Sequence, residues 1–220
     1  MDVVTRTTAD QVPDLIAALA DCAGTTGARQ LIGIAGAPGT GKSTFAEHVA
    51  RSLPAGSCVI VPMDGFHLAN AILESTLLNG TPLASRKGAI DTFDADGYVA
   101  LLERIRRGTE DVVYAPAYRR GLEEPIAASI AVPATARVVL TEGNYLLSPD
   151  EPWSRIPSLL DETWFVESDQ DIRLERLIAR HERFGMTHDR AVAWANGTDE
   201  VNARYIESTR ARADRVIEWN

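Results

Sequence analysis

The chain has 220 residues, 45% of them hydrophobic, and a formal net charge of −9. That length and composition suit a globular core in one large domain or two small ones, and the acidic balance argues against a broad nucleic-acid or anionic-membrane surface, which needs clustered basic residues. No apolar run approaches ~18 residues, so no membrane span is expected; Met1-Asp2-Val3-Val4 lacks the charged and apolar regions of a secretory signal; and Cys22 and Cys58 show neither metal spacing nor a disulfide framework, which fits small buried thiols in a reducing cytoplasm.

Residues 8–22 predict a first helix, with Val12, Leu15, Ile16, Leu19 and Ala20 on one face and Gly24 and Gly27 breaking it. Gln30–Ala35 is an apolar run of strand length. It leads into Gly36-Ala37-Pro38-Gly39-Thr40-Gly41-Lys42-Ser43-Thr44, which fits G-x-x-x-x-G-K-[ST] at every fixed position. A polyphosphate must be wrapped closely by backbone N–H groups, and glycines let the loop turn tightly around it. The helix expected from near Gly41 aims its free N–H groups and dipole at the same anion. Lys42 is placed to reach the β- and γ-phosphates, and the Ser43 hydroxyl to hold Mg²⁺. Phe45, Val49 and Leu53 give this helix an apolar face, so strand, loop and helix come in the order the motif requires. The loop does not by itself name a reaction, since ATPases, GTPases and small-molecule kinases share it.

Cys58–Pro62 reads as a second buried strand running into Met63-Asp64-Gly65-Phe66-His67. A carboxylate just past the end of a parallel strand sits where open α/β sheets bind ligands, which places Asp64 toward the phosphate loop. Asn70 to Leu78 suits a short helix with Asn70 as its N-cap. Arg86-Lys87-Gly88 is a basic pair in an acidic chain, either a solvated loop or a contact to an anionic acceptor or the nucleotide. Asp94 caps a helix carrying Tyr98, Leu101, Leu102 and Ile105 at helical spacing. Asp111–Tyr114 reads as a strand ended by Pro116, with Tyr118-Arg119-Arg120 in the loop beyond. Ile126–Pro133 reads as irregular or a small hairpin arm. Val138–Tyr145 is a core strand carrying Glu142, a candidate for the Mg²⁺ shell.

Thr163–Val166 is another strand. Residues 170–186 follow as a helix in which Arg173, Arg176, Arg180 and Arg183 are spaced three, four and three, which puts all four guanidinium groups on one face. Like charges so placed repel, so the stripe suits a lid that closes over transferring phosphate. Asp199 to Asn220 reads as helix then strand. Alternating strands and helices over residues 1–220 indicate one α/β domain, a mainly parallel sheet with helices on both faces and a helical lid at about 170–190.

These segments resemble the phosphoribulokinase, uridine kinase and bacterial pantothenate kinase superfamily of P-loop kinases, and are most similar to its fructose-transport-system kinase branch. The resemblance is carried by Gly36–Thr44, Pro62–His67, Arg86-Lys87-Gly88 with Asp91–Asp94, and Val113–Pro116. It continues through Thr141-Glu142-Gly143-Asn144-Tyr145-Leu146-Leu147, Arg180-His181 with Phe184-Gly185, and Ser208–Asp214, nearly the whole chain. It implies a P-loop NTPase fold and an ATP- and Mg²⁺-dependent cytoplasmic kinase acting on the hydroxyl of a small molecule: a sugar such as fructose, or a pantothenate-like or nucleoside-like alcohol. Dimers are common in the resembling family, so a homodimer is among the expected assemblies. Asp64 matches the general base, which also helps with Mg²⁺, and Glu142 the acidic residue of the Walker-B-like strand. Arg173, Arg176 and Arg180 match the lid. The nucleotide is expected on residues 36–44 with Arg173 and Arg210, and catalysis on Lys42, Asp64, Arg176 and Arg180. The metal falls to Ser43, Asp64 and Glu142, and the acceptor to His67, Arg86, Lys87, Tyr118 and Asn144. Two departures stand out: Arg119 follows Tyr118 where related kinases tend to have aspartate, and Arg86-Lys87-Gly88 stands where uridine kinases carry a ribose-binding acid. Both favour an anionic acceptor over uridine. An acceptor-independent NTPase and an ATP-binding regulatory module are the competing readings; the chain has no Asn-Lys-x-Asp guanine motif and no Leu-Ser-Gly-Gly signature.

Overall fold

The computed structural model describes residues 4–219. The reading of Met1-Asp2-Val3 as no leader and the end of the tail at Asn220 lie outside the described residues. In chain order, β1 (Thr5–Thr7) leads to α1 (Val12–Thr26), β2 (Gln30–Ala35), α2 (Lys42–Ser52) and β3 (Cys58–Pro62). A 3₁₀ turn, Met63–Phe66, precedes α3 (Asn70–Ser75), and β4 (Leu77–Leu78) and β5 (Thr81–Pro82) form a small ribbon. Next come α4 (Ala95–Arg107), the antiparallel hairpin of β6 (Val112–Arg119) and β7 (Glu124–Pro133), β8 (Val138–Glu142) and β9 (Glu162–Glu167). The chain closes with α5 (Gln170–Arg183), α6 (His188–Trp194), a π-helical turn at Ala195–Asp199, α7 (Glu200–Ser208) and β10 (Arg215–Glu218).

The main sheet has six parallel strands in the order β1-β10-β9-β2-β8-β3. Its central strands are nearly continuous apolar runs because both faces are covered. On one face, α1 and α2 pack Val12, Ile16, Leu19, Phe45 and Val49 against Ile34, Leu140 and Trp164. On the other, α4 packs Tyr98, Leu102 and Ile105 with Leu31, Val139, Tyr145, Trp153 and Phe165. Helices on both faces of a mainly parallel sheet are the architecture the sequence predicts. All six strands point the same way, so the phosphate loop after β2, the Asp64 turn after β3 and Glu142 at the end of β8 meet at one sheet edge. The register is specific: Glu142 lies opposite Ile34 on one side and Pro62 on the other.

Several element boundaries differ from expectation. α1 runs through Gly24 and stops at Gly27, which takes the left-handed conformation (φ 64°). Cys22 falls off the apolar stripe of α1 and is exposed, and Cys58 is half-buried, so the thiols are not both interior; burial pushes the Cys58 thiol up to about 12. Asn70 does not cap α3, whose cap is Ala69. Its amide instead accepts from Lys87 and donates to the Glu123 carbonyl. Pro116 does not end β6. The strand passes through it with an irregularity between Ala115 and Ala117, and residues 124–133 form the paired return strand.

The hairpin is fixed to the sheet at two places. The Arg29 guanidinium donates to the carbonyls of Ile105, Pro133 and Ala136 at 2.9–3.0 Å. Farther out, the Pro116 carbonyl lies directly against Gly65, where a Cβ would overlap it and come within 3.2 Å of the Ala117 nitrogen. The neighbour is backbone and cannot swing aside. Gly65→Ala is therefore expected to lower stability by ~1–3 kcal/mol through overpacking. Gly24→Ala, where a Cβ meets nothing within 4 Å, should raise it by ~0.5–1 kcal/mol. Urea unfolding of the two variants beside the parent checks both signs.

Candidate active site

Gly39 and Gly41 adopt φ of 86° and 90°, and Gly41 caps α2, whose first residue is Lys42. The loop braces itself: the Thr40 hydroxyl and the Lys42 ammonium both donate to the Ala37 carbonyl, at 2.9 and 3.0 Å. Lys42 is buried, and burial lowers its pKa to about 8, against the pull of Glu142 and Asp64. Ser43 donates its hydroxyl proton to Glu142 Oε1 at 3.0 Å. The Glu142 carboxyl is pushed up by burial and by Asp64, with Lys42 and Ser43 acting the other way. Asp64 stands on the 3₁₀ turn with a third of its side chain exposed (33%), and Arg120 Nη2 lies 3.5 Å from it.

Ser43, Glu142 and Asp64 form an all-oxygen donor set. No group of three or more His, Cys, Asp or Glu side chains suited to a metal occurs among the described residues. The set nonetheless fits Mg²⁺, which is commonly held by one or two carboxylates plus phosphate oxygens and water.

The arginine stripe divides. Arg176, Arg180 and Arg183 line a cleft of about 900 Å³ in front of the phosphate loop. Arg173 does not: it is 2% exposed, pairs with Glu200 at 2.6 Å and donates to the Pro38 carbonyl at 3.4 Å. The reason is contact. A Cβ on Gly39 would lie 2.6 Å from the Arg173 carbonyl and 2.8 Å from Leu177 Cγ, so the first half of α5 rests on the loop and only its later turns face the cleft. Burial lowers the Arg180 pKa, with Arg120 adding to the effect.

On the acceptor side, His67, Lys87, Tyr118 and Asn144 line the cleft as expected from sequence. The His67 ring packs against Phe93 and Tyr118, with centroids 4.1 and 4.8 Å away. Burial above all lowers its pKa, so the ring is neutral at neutral pH. Nδ1 lies 2.8 Å from the Asp64 carbonyl, which can only accept; Nδ1 carries the proton and Nε2 is left as an acceptor.

Arg86 and Arg210 do not reach the cleft. Arg86 faces Asp91 at 3.4 Å and Arg210 faces Glu167 at 2.8 Å. Gly36, Ala37 and Thr40 belong to the loop but lie beneath its surface; Pro38, Gly39, Gly41, Ser43 and Thr44 line it.

Arg120, Glu123 and Phe184 also line the cleft, and His181 pairs with Asp199 at 2.7 Å; none of them stood among the expected site residues. The available signal was a proline inside a strand, which marks a bulge. Val113 and Ala115 point into the core. Past the irregularity it is Tyr118 and Arg120, rather than Ala117 and Arg119, that turn to the cleft.

A sequence profile described as Phosphoribulokinase / Uridine kinase family matches residues 31–219. The ATP-dependent kinase-like protein notR' of Aspergillus versicolor is 34% identical over 72% of this chain and 94% of its own. A solved structure from Silicibacter sp. TM1040, provisionally named a fructose transport system kinase, is 36% identical, covers 92% of this chain and 98% of its own, and superposes with a TM-score of 0.75. YFH7 of Saccharomyces cerevisiae shares the fold at TM-score 0.80 with 17% identity, over 96% of this chain and 98% of its own.

Lys42 titrates in an accessible range. Polyphosphate binding needs its ammonium form, so ATP affinity should be flat below about pH 8 and weaken as pH rises through it. Lys42→Met should lose this pH dependence together with ~10–100-fold in affinity, the worth of a hydrogen bond to a charged group. Calorimetric ATP titrations on either side of about pH 8 check both.

Proposed function

The chain belongs to the phosphoribulokinase/uridine kinase family, and we propose that it is an ATP-dependent kinase of a small-molecule alcohol. The observation that carries this reading is the meeting, at one sheet edge, of a phosphate-loop lysine, the Ser43–Glu142 pair and a separate carboxylate, Asp64, that faces the cleft. A pure nucleotide-binding loop has no need of the last. Sugars, pantothenate-like and nucleoside-like alcohols all present the hydroxyl this chemistry requires.

Phosphoryl transfer asks the protein for position and charge rather than covalent chemistry. Asp64 takes the proton of the acceptor hydroxyl, for which the two oxygens must come within ~2.6–3.2 Å. The acceptor oxygen forms its bond to the γ-phosphorus as the bond to the β-phosphate oxygen breaks, and ADP leaves with that electron pair. Lys42, Arg176 and Arg180 hold the phosphoryl oxygens where charge gathers. Ser43, Glu142 and Asp64 would hold Mg²⁺, which supplies further neutralisation of the phosphate oxygens when bound. Phe184, Met186 and Trp194 line the outer cleft and exclude water as α5 closes on the nucleotide. In this reading residues 1–220 act as one kinase domain in the cytoplasm, with 170–190 as its lid.

ADP release with Mg-ATP over a panel of sugars, nucleosides, pantothenate and phosphosugars tests the assignment, with Lys42→Ala as the blank. Stimulation by an acceptor is the expected result; steady ADP release indifferent to every acceptor would instead identify a hydrolase. Asp64→Asn should leave ATP binding nearly intact and lower kcat by ~10² or more, the loss typical of a missing general base.

A further inference from the structure

We infer that the acceptor is itself an anion, a small hydroxy acid or a phosphorylated alcohol, and that Arg120 with Lys87 binds its charged group. The inference rests on the kinase reading of the same cleft and narrows its substrate. Two cations flank one aromatic ring there. Lys87 Nζ lies 5.2 Å from the centroid of Tyr118, and the Arg120 guanidinium lies 6.0 Å from it and 5.4 Å from the Phe184 ring. Both line the cleft together with Asp64 and His67, whose ring packs against that of Tyr118.

Neither cation is held in a close ion pair among the described residues. Lys87 donates to two uncharged oxygens, Asn70 Oδ1 at 2.6 Å and the Glu123 carbonyl at 2.7 Å, and makes no ion pair among the described residues. The Glu123 carboxylate attracts both cations from a distance but is held away from them: Tyr118 donates its hydroxyl proton to one oxygen and the Gly121 N–H donates to the other, both at 2.9 Å. Glu124 accepts the backbone N–H of Asn70. Arg120, with 39% of its side chain exposed, has a single ion pair among the described residues, the 3.5 Å approach to Asp64.

An acceptor that brings its own carboxylate or phosphate can pair with both Arg120 and Lys87. A guanidinium between two rings and an ammonium held by neutral oxygens are also preset in position, so little side-chain freedom is lost on binding. Lys42, Arg176 and Arg180 already line the cleft, so a polyphosphate has three cations besides these two.

The test compares matched acceptors: glycerol, D-glycerate and glycerol 3-phosphate; fructose and fructose 6-phosphate; pantothenol and pantothenate. Binding is followed by calorimetry on the protein saturated with Mg²⁺ and a non-hydrolysable ATP analogue, and turnover by product formation from ATP. At least one anionic member should bind and be phosphorylated with kcat/KM well above its neutral partner; whether acids or phosphates do so identifies the source of the charge. Arg120→Met and Lys87→Met should each raise KM for that anion ~10–100-fold, as for loss of a charge-assisted hydrogen bond, while any slow reaction of the neutral partner keeps its KM. Arg120→Lys should recover part of the loss. Neutral acceptors used as well as their anions, no anion bound, or Arg120→Met slowing both kinds alike would each overturn the inference while leaving the kinase reading in place. Arg120-dependent binding of an anion with no phosphate transferred would do the reverse.

Discussion

A lysine ammonium removed from water has to be held by something, and here that need ties the phosphate loop to the rest of the sheet. Lys42 begins α2 with its side chain buried beneath the loop. Its field is met by Glu142 from β8 and Asp64 from beyond β3, two strands that neighbour each other in the sheet and lie to one side of the loop. Burying an ion of this size costs several kcal/mol even after relaxation, so the arrangement holds only if the strand register brings both carboxylates near. The pairing of Glu142 with Ile34 and Pro62 does so. Burial above all, and then the opposition of the two anions, makes Glu142 resist ionisation. The centre is a set of charges each of which makes a neighbour tolerable.

Around this centre the cleft has walls of different origin. The phosphate side is built from strand ends and from the later turns of α5. The same helix rests against Gly39 through Arg173 and Leu177, which leaves its later turns to face the cleft. Another wall is built from a separate two-stranded hairpin, clamped by Arg29 at its base and by the Gly65–Pro116 contact farther out. Asp64 belongs to both, since its turn leaves the main sheet and supports the hairpin.

What could be read from the residues follows from how local each cause is. The phosphate loop, Asp64 and Glu142 were legible because a strand-loop-helix motif and carboxylates at strand ends depend on neighbours in sequence. The arginine spacing correctly placed Arg176, Arg180 and Arg183 on one side of a helix. It could not show that Arg173 would be turned under the loop, because that depends on Pro38 and Glu200, both distant in the chain. Arg86 and Lys87 looked equivalent, yet one faces Asp91 and the other Tyr118. Arg120 was hidden because Pro116 reads as a strand end, which leaves the side faced by residues 118–120 undefined; the strand instead runs on through a bulge there to Arg119. The helix at 8–22 was shifted for a simpler reason: Gly24 weakens a helix without ending it, and the left-handed turn falls at Gly27.

That bulge has a consequence for how such a molecule changes over generations. Side chains alternate along a strand, so one residue gained or lost near Pro116 exchanges every inward position beyond it for its outward neighbour. Tyr118 and Arg120 would give way to Ala117 and Arg119 at the wall of the cleft in one step. The lysine, the glutamate and the aspartate at the sheet edge would be untouched. The lining of this wall can therefore shift by a change of length while the sheet-edge residues stay in place, where most clefts must be rebuilt one substitution at a time.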